Sequence, residues 1–252
     1  LFTDQHIFVS TGEKNRARVL KFLNETNSIV IHNGVDHKYI DSLPITRNKA
    51  LELSENKDWG NNKILGTISR LSPEKGILSL LAAFSKAIKK IPELRLLIIG
   101  GYPEEHKGYY LEIQKLIAQE NLSNCVRILG YRQDAVKILK CVDFYISSSL
   151  SEGLPISLLE ALASRIPTIA TEIVGNKDIL CNSVFGVLTK PDSSESLYKG
   201  IVKMVNLTND ELNIISKNSF NRIKNQFSIN EMAVKTTLLY NQTLKKMLKK
   251  KV

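Results

Sequence analysis

Phe144-Tyr-Ile-Ser-Ser-Ser-Leu-Ser-Glu152-Gly153-Leu154-Pro155-Ile156-Ser-Leu-Leu-Glu160-Ala-Leu-Ala163 runs from a continuous apolar stretch through a Ser/Gly/Pro segment into an apolar helical pattern. Residues 144–147 predict a buried strand and residues 156–164 a helix. Glu152 then precedes the helix and Glu160 lies just over one turn inside it. The backbone N–H groups between the two carboxylates lack intrahelical partners and point beyond the strand end. A helix N-terminus suits a phosphate and carboxylates suit hydroxyl donors. A ligand carrying both, such as a nucleotide sugar, fits this segment better than a bare phosphate, which two carboxylates would repel.

The same strand-to-helix unit repeats outward along the chain. Continuous apolar runs at 29–31, 63–69, 94–99, 126–129, 144–147, 168–171 and 186–188 predict strands. Helical patterns at 76–90, 109–120, 134–139, 156–164 and 176–180 fall between them. Strands that are apolar throughout, rather than alternating, belong to a parallel sheet covered on both faces. Alternation with helices implies right-handed crossovers and an α/β, doubly wound, Rossmann-like sheet. Ligands of such sheets bind beyond the carboxyl ends of the strands, which is where Arg70, Gly100, Gly101, Tyr131 and Glu152 fall. Beyond Ser193 the pattern is all-helical, at 194–206, 210–225 and 230–248, and Ser228-Ile-Asn-Glu231 has the form of a capping box.

Composition sets the outer limits. At 252 residues, 43% hydrophobic and 24% charged, the chain is long enough to bury a sizeable core. No stretch approaches the roughly 18–20 uninterrupted apolar residues of a membrane-spanning helix. The N-terminus lacks the pattern of a secretory signal, and the three widely spaced cysteines, Cys125, Cys141 and Cys181, read as reduced, buried thiols of a cytoplasmic protein. The net charge of +10 gathers in the tail from Leu244 and in the region from Lys217 to Lys224. It reads either as a solvated face with a frayed end or as attraction to an anionic membrane surface. Nucleic acid is disfavoured, because the aromatics are not interleaved with the basic residues. Abundant Lys, Asn and Ile suggest a bacterial source.

Arg70 and Lys75 follow a predicted strand and flank a Ser-Pro turn, so their cations can converge on a diphosphate; otherwise they are two surface cations beside a turn. Glu152 reads as a ligand carboxylate or as a loop residue capping the helix. Glu160, among Leu158, Leu159, Ala161 and Leu162, is half-buried and needs partners. Gly153 permits close approach of backbone to ligand, and Pro155 fixes the turn into the helix. His6, His32, His37 and His106 share no metal-ligand spacing, no Asp-x-Asp occurs, and no nucleophile arrangement emerges. A resident metal or other cofactor is therefore not expected.

These segments occur in a recognisable order: Asn33-Gly-Val-Asp36, Ser69-Arg70-Leu-Ser-Pro-Glu-Lys75-Gly76, the run from Leu96 to Gly101, Val126-Arg-Ile-Leu-Gly-Tyr131, Glu152-x7-Glu160, Pro167-Thr-Ile-Ala-Thr171 and Gly175-Asn-Lys-Asp178. In that order the chain resembles the C-terminal, donor-binding half of a retaining B-fold glycosyltransferase of glycosyltransferase family 4, the glycosyl transferases group 1. The resemblance implies a donor site in which Arg70, Lys75 and Glu152 are catalytic. It implies that Glu160 takes the ribose hydroxyls and residues 153–156 hold sugar and phosphate oxygens, with Gly153, Leu154, Pro155 and Ile156 as donor-binding residues. Tyr131 and Arg132 lie near the base, where the family relies mainly on backbone groups. Departures are Ser69 for a common Gly, Asn176 for the second glycine of a usual pair, and Asp178 for Glu.

The expected division is residues 1–32 as the remnant of an N-terminal domain and connection, 33–227 as the nucleotide-sugar-binding domain, and 228–252 as a crossing helix with a basic tail. The chain is expected to be the C-terminal portion of a longer enzyme, or one subunit of a split one, and inactive without its N-terminal half. The implied activity is sugar transfer from a nucleotide-sugar donor to a glycan or lipid-linked acceptor, as in polysaccharide biosynthesis, with anomeric configuration retained. Its expected location is the cytoplasm, extending to the cytoplasmic face of the inner membrane. Alternatives are a non-catalytic nucleotide-sugar-binding module complementing a partner chain, and a B-fold sugar-nucleotide epimerase or phosphorylase relative.

Overall fold

In the computed structural model, residues 5–20, 27–181 and 183–249 are described. Strands β3 (Lys63–Ile68), β4 (Leu94–Ile99), β5 (Val126–Ile128), β6 (Phe144–Ser147), β7 (Thr168–Thr171) and β8 (Val187–Thr189) form one parallel sheet in the order β5-β4-β3-β6-β7-β8. Counted from its own first strand, this is the doubly wound order 3-2-1-4-5-6, which reverses direction between β3 and β6. The crevice at that reversal opens above the carboxyl ends of these two strands.

The apolar runs bury both faces because successive side chains alternate between two cores. Ile64, Leu97, Ile99 and Tyr145 face one cluster, while Leu65, Leu96, Ile98, Phe144 and Ile146 face the other. The second face is covered by α4 (Ile77–Ile88), α5 (Lys107–Gln119) and α9 (Ser194–Val205), through Leu80, Phe84, Ile113, Leu197 and Ile201. The first is covered by α7 (Ile156–Ala163), α8 (Val174–Leu180) and α10 (Asn209–Gln226), and by two short helices, α2 (His37–Ser42) and α3 (Arg47–Leu53), with Trp59 beneath them. A short helix α6 (Ala135–Ile138) joins β5 to β6.

The run at 29–31 does form a strand, but not in the main sheet. β1 (His6–Phe8) and β2 (Ser28–Val30) pair only with each other, flanking α1 (Thr11–Val19). Asn33-Gly-Val-Asp36 then leaves this small unit and packs on the junction before α11 (Ile229–Lys249). Val35 N–H donates to Phe227 C=O at 2.9 Å, and Ile229 N–H donates to Val35 C=O at 3.0 Å. At the start of α11 the expected capping box is half present. Glu231 N–H donates to Ser228 Oγ at 3.2 Å, while the Glu231 carboxylate pairs with Lys235 at 3.0 Å. The full reciprocal box is instead at Thr208 and Glu211, opening α10.

One cysteine departs from expectation. Cys125 and Cys141 are buried, and burial pushes the Cys141 thiol up to about 11. Cys181, however, is exposed, because it terminates α8 in the left-handed conformation with φ 48° and turns outward. Residues 250–252 of the basic tail lie outside the described residues.

Candidate functional site

β3 ends by running close beside the end of β4. Ser69 N–H donates to Ile99 C=O at 2.9 Å and Leu71 N–H to Gly101 C=O at 2.8 Å. At Gly100 a side chain is excluded, because a Cβ there would lie 1.8 Å from Ser69 C=O. After β3 the chain makes a 3-10 turn at Pro73–Lys75 and enters α4 through Gly76, with φ 63°. A Cβ on Gly76 would stand 2.3 Å from Ser148 C=O, so this turn lies directly against the loop that follows β6. Ser148 Oγ donates to Lys75 C=O at 2.8 Å and Leu150 N–H to Glu74 C=O at 2.7 Å, lacing the two loops together.

Between them lies a cleft of about 280 Å³. Arg70 and Lys75 line it from the β3 side, Gly100 and Gly101 from β4, Tyr131 and Arg132 from β5, and Ser149, Glu152 and Ser157 from the β6–α7 segment. The structure thus brings all three residues expected to be catalytic, Arg70, Lys75 and Glu152, to one hollow at the reversal of strand order. Lys75 and Glu152 are paired there: Lys75 Nζ lies 2.6 Å from Glu152 Oε1, with both side chains less than a fifth exposed. Ser149 Oγ donates to the same carboxylate oxygen at 2.8 Å. Arg70 is 67% exposed and its contact to Glu74 is long, 3.4 Å, so its guanidinium can swing over the mouth. Glu74 is itself held by Ser72 Oγ at 2.6 Å, which keeps its carboxyl below the usual range.

Glu160 does not line the cleft. It lies half-buried on α7, three residues beyond Ser157 and therefore on the same helix face. Burial raises its carboxyl above the usual range, and among the described residues its side chain makes no hydrogen bond or ion pair. Its neighbour Tyr145 is fully buried beneath the cleft floor. Burial first, and the Glu160 charge in addition, push the Tyr145 phenol up to about 12 against hydrogen bonds with Ser157 and Ile68. A half-buried carboxylate to which no described residue donates could accept hydrogen bonds from hydroxyl groups outside the chain.

Residues 153–156 also stay off the cleft surface. Leu154 and Pro155 are buried, Ile156 is 51% exposed, and a Cβ on Gly153 would meet Val9 at 3.0 Å. This segment is wedged between the N-terminal unit and α8, since a Cβ on Gly175 would lie 2.4 Å from Gly153 C=O. Asn33, which opens the Asn33-Gly-Val-Asp36 segment, reaches across and donates from Nδ2 to Leu154 C=O at 2.9 Å. That contact joins residues 121 positions apart, so no local pattern signals it.

Tyr131 is 79% exposed at the mouth, with its Cβ close above Gly101. Arg132 borders the cleft but is engaged elsewhere. It forms a fork with Asp134 at 2.8 and 2.9 Å and donates to Leu53 C=O at 2.9 Å. Asp134 is thereby held below the usual carboxylate range. Arg132 thus anchors the β5 loop to α3. Among the described residues no group of three or more His, Cys, Asp or Glu side chains could share a metal ion, and no helix is long and apolar enough to cross a membrane.

The sequence pattern of the glycosyl transferases group 1 matches residues 50–222, more than half of the chain. An uncharacterized glycosyltransferase of Methanocaldococcus jannaschii is 30% identical over 209 residues, covering 77% of this chain and 50% of the relative. The UDP-Gal:alpha-D-GlcNAc-diphosphoundecaprenol alpha-1,3-galactosyltransferase of Escherichia coli is 30% identical over 262 residues, covering 92% of this chain and 66% of the relative. The chain therefore spans about half to two thirds of the length of these relatives. The crystal structure of a glycosyltransferase from Rickettsia africae ESF-5 superposes with a TM-score of 0.88 at 27% identity, covering 96% of this chain and 64% of that one. An Anabaena protein solved with UDP and glucose shares the fold, with a TM-score of 0.86 at 22% identity and covering 95% and 63% of the two chains. This chain belongs to the glycosyl transferases group 1 family.

Proposed function

We propose that the chain is the donor-binding part of a retaining glycosyltransferase, which takes a UDP-sugar and passes the sugar to a glycan or lipid-linked acceptor. The observation that carries this reading is the convergence of Arg70, Lys75 and Glu152, from two separate strand ends, on the cleft at the reversal of strand order. A diphosphate entering there meets Arg70 at the mouth and Lys75 in the wall, while Glu152 and the serines of the β6 loop offer partners to sugar hydroxyls. To meet Glu160, which lies one helical turn beyond the cleft-lining Ser157, the ribose hydroxyls extend past the cleft along α7. As the bond from the sugar to the β-phosphate oxygen breaks, negative charge grows on the phosphate. Preorganised cations at that point supply several kcal/mol. The diphosphate charge is met by these side chains rather than by a resident divalent ion. No side chain is asked to attack the sugar: the acceptor hydroxyl approaches on the face the leaving phosphate vacates, and that phosphate takes its proton.

UDP and a lipid-linked acceptor are favoured by the E. coli relative, whose name specifies both. An N-terminal half, or a partner subunit in its place, supplies the acceptor groove. It covers the apolar side chains left exposed by α11 beside β1, namely Leu238, Tyr240, Leu244 and Ile7. The cations Lys245 and Lys246 near the end of that helix favour peripheral contact with an anionic membrane on its cytoplasmic face. In this reading residues 1–32 belong with that half and the nucleotide-sugar domain is 33–227. The test is titration of the chain with UDP-, GDP- and ADP-sugars, followed by transfer assays with the N-terminal half supplied and NMR of the product anomer. An inverted product, or no preference for any sugar nucleotide over buffer, overturns the reading.

A further inference from the structure

The Glu152 carboxylate is held from below by a buried chain of hydrogen bonds that begins outside the cleft. Asn176, in the first turn of α8, is completely buried, as is Thr171 at the end of β7. Asn176 Nδ2 donates to Thr171 C=O at 2.9 Å and to Thr171 Oγ1 at 3.3 Å. Thr171 Oγ1 donates in turn to Ser149 C=O, and Ser149 Oγ donates to Glu152 Oε1 at 2.8 Å, the oxygen that also receives Lys75. Each hydroxyl in this series has a fixed direction because its acceptor is a carbonyl or carboxylate. Asn176 Oδ1, by contrast, is buried with no partner. An unpaired buried amide oxygen is a cost that a glycine or alanine at this position would avoid. Only the donor end of the amide is used, and it is used on Thr171.

Resting on the donor-site reading above, we propose that Asn176 and Thr171 are positioning residues that fix the Ser149–Glu152 loop, so that the cleft discriminates a nucleotide sugar from the bare nucleotide. Without the Thr171 hydroxyl, Ser149 C=O loses a donor in a place closed to water, and the loop carrying Glu152 loses its register against Lys75. The diphosphate and ribose contacts at Arg70 and Glu160 lie outside the chain of bonds and are untouched. The consequence is selective: contacts to the sugar weaken, while UDP keeps Arg70 and Glu160 and meets in Lys75 a cation less tightly held by Glu152.

The experiment uses Thr171→Val, which keeps the side-chain volume and removes the hydroxyl, together with Asn176→Ala, and Thr171→Ser as the conservative rescue. Two quantities are read: amide hydrogen exchange without ligand, and affinities for UDP and UDP-glucose by calorimetry. We expect exchange at residues 149–154 to rise about tenfold in both disrupting variants, with Thr171→Ser near wild type. UDP-glucose affinity falls about tenfold, as one buried hydrogen bond would dictate, and UDP affinity does not fall. Unchanged exchange overturns the proposal whatever the ligand data show. So does a parallel fall of UDP and UDP-glucose affinity, which marks a general loss of structure. A wild-type chain that binds neither nucleotide sinks the donor-site reading instead, and the exchange measurement still decides whether the strut exists.

Discussion

Replacing Glu160 by Gln separates binding from stability, because the two should move in opposite directions. This carboxylate is half-buried, its charged form is disfavoured by desolvation, and none of the described residues donates to it. Gln keeps the shape and removes the charge. The folded chain should gain about 1 kcal/mol at pH 7, which for a domain of this size raises Tm by roughly 2–4 °C. With donor bound, two ribose hydroxyls can donate to the carboxylate at about 1.5–3 kcal/mol each, whereas an amide offers one neutral acceptor at about 1 kcal/mol. The net loss of about 2–5 kcal/mol corresponds to a rise in Kd of roughly 30-fold to several thousand-fold.

The pH dependence has a definite sign. Burial raises the folded-state value of Glu160 above the unfolded reference of 4.5. Its stabilising contribution is therefore fully present below that reference and is lost as pH rises through the folded-state value. The Tm advantage of Glu160→Gln should be near zero at about pH 4 and grow toward neutrality. Differential scanning calorimetry from acid to neutral pH, with calorimetric titration of UDP, reads both effects. A variant that melts lower than wild type and binds UDP normally would make Glu160 a structural carboxylate and refute the reasoning.

Arg70→Ala should weaken UDP by about 10- to 100-fold through loss of a charge-assisted contact, with a shallower salt dependence and an unchanged Tm; an unchanged Kd in low salt would exclude Arg70 from the diphosphate. Lys75→Ala strands Glu152 without its cation, so Lys75→Ala/Glu152→Gln should melt higher than Lys75→Ala alone, and additive effects in that cycle would show that the pair is not coupled. Gly76→Ala forces a Cβ into a left-handed position against Ser148 C=O and should cost about 2–4 kcal/mol in chemical denaturation; a loss below about 0.5 kcal/mol would mean the turn relaxes freely. Arg132→Ala should lower stability by about 1–3 kcal/mol through its bonds to Asp134 and Leu53, and a large fall in UDP affinity at constant Tm would instead assign its cation to the ligand.

The sheet was legible because its evidence is local. Residues 94–99 form a strand buried on both faces, and only a continuous apolar run can supply that. The short helices α2 and α3 escaped the reading for the opposite reason. They are capped by Asp36 and Thr46 and bury only two residues each, so no periodic stripe develops in 37–53. The strand at 29–31 was visible, but its sheet was not, since pairing with β1 instead of β3 depends on contacts that no period encodes.

The site divides along the same line. That Arg70, Lys75 and Glu152 stand at strand ends follows from local pattern, and strand order then carries them to one crevice. That Lys75 and Glu152 meet each other before any ligand arrives does not follow, because the contact spans 77 residues. It changes the chemistry expected of the cleft. A basic pair facing an acidic pair would be two open poles, whereas the structure has already neutralised one cation against one carboxylate. On the proposed donor-site reading, an entering diphosphate would have to compete with Glu152 for Lys75, and would prevail only if Glu152 found replacement donors. Ser149 already donates to Glu152, so the replacements would come from hydroxyls of a sugar joined to the diphosphate. A bare diphosphate brings none, so the pair itself penalises a ligand that lacks its sugar.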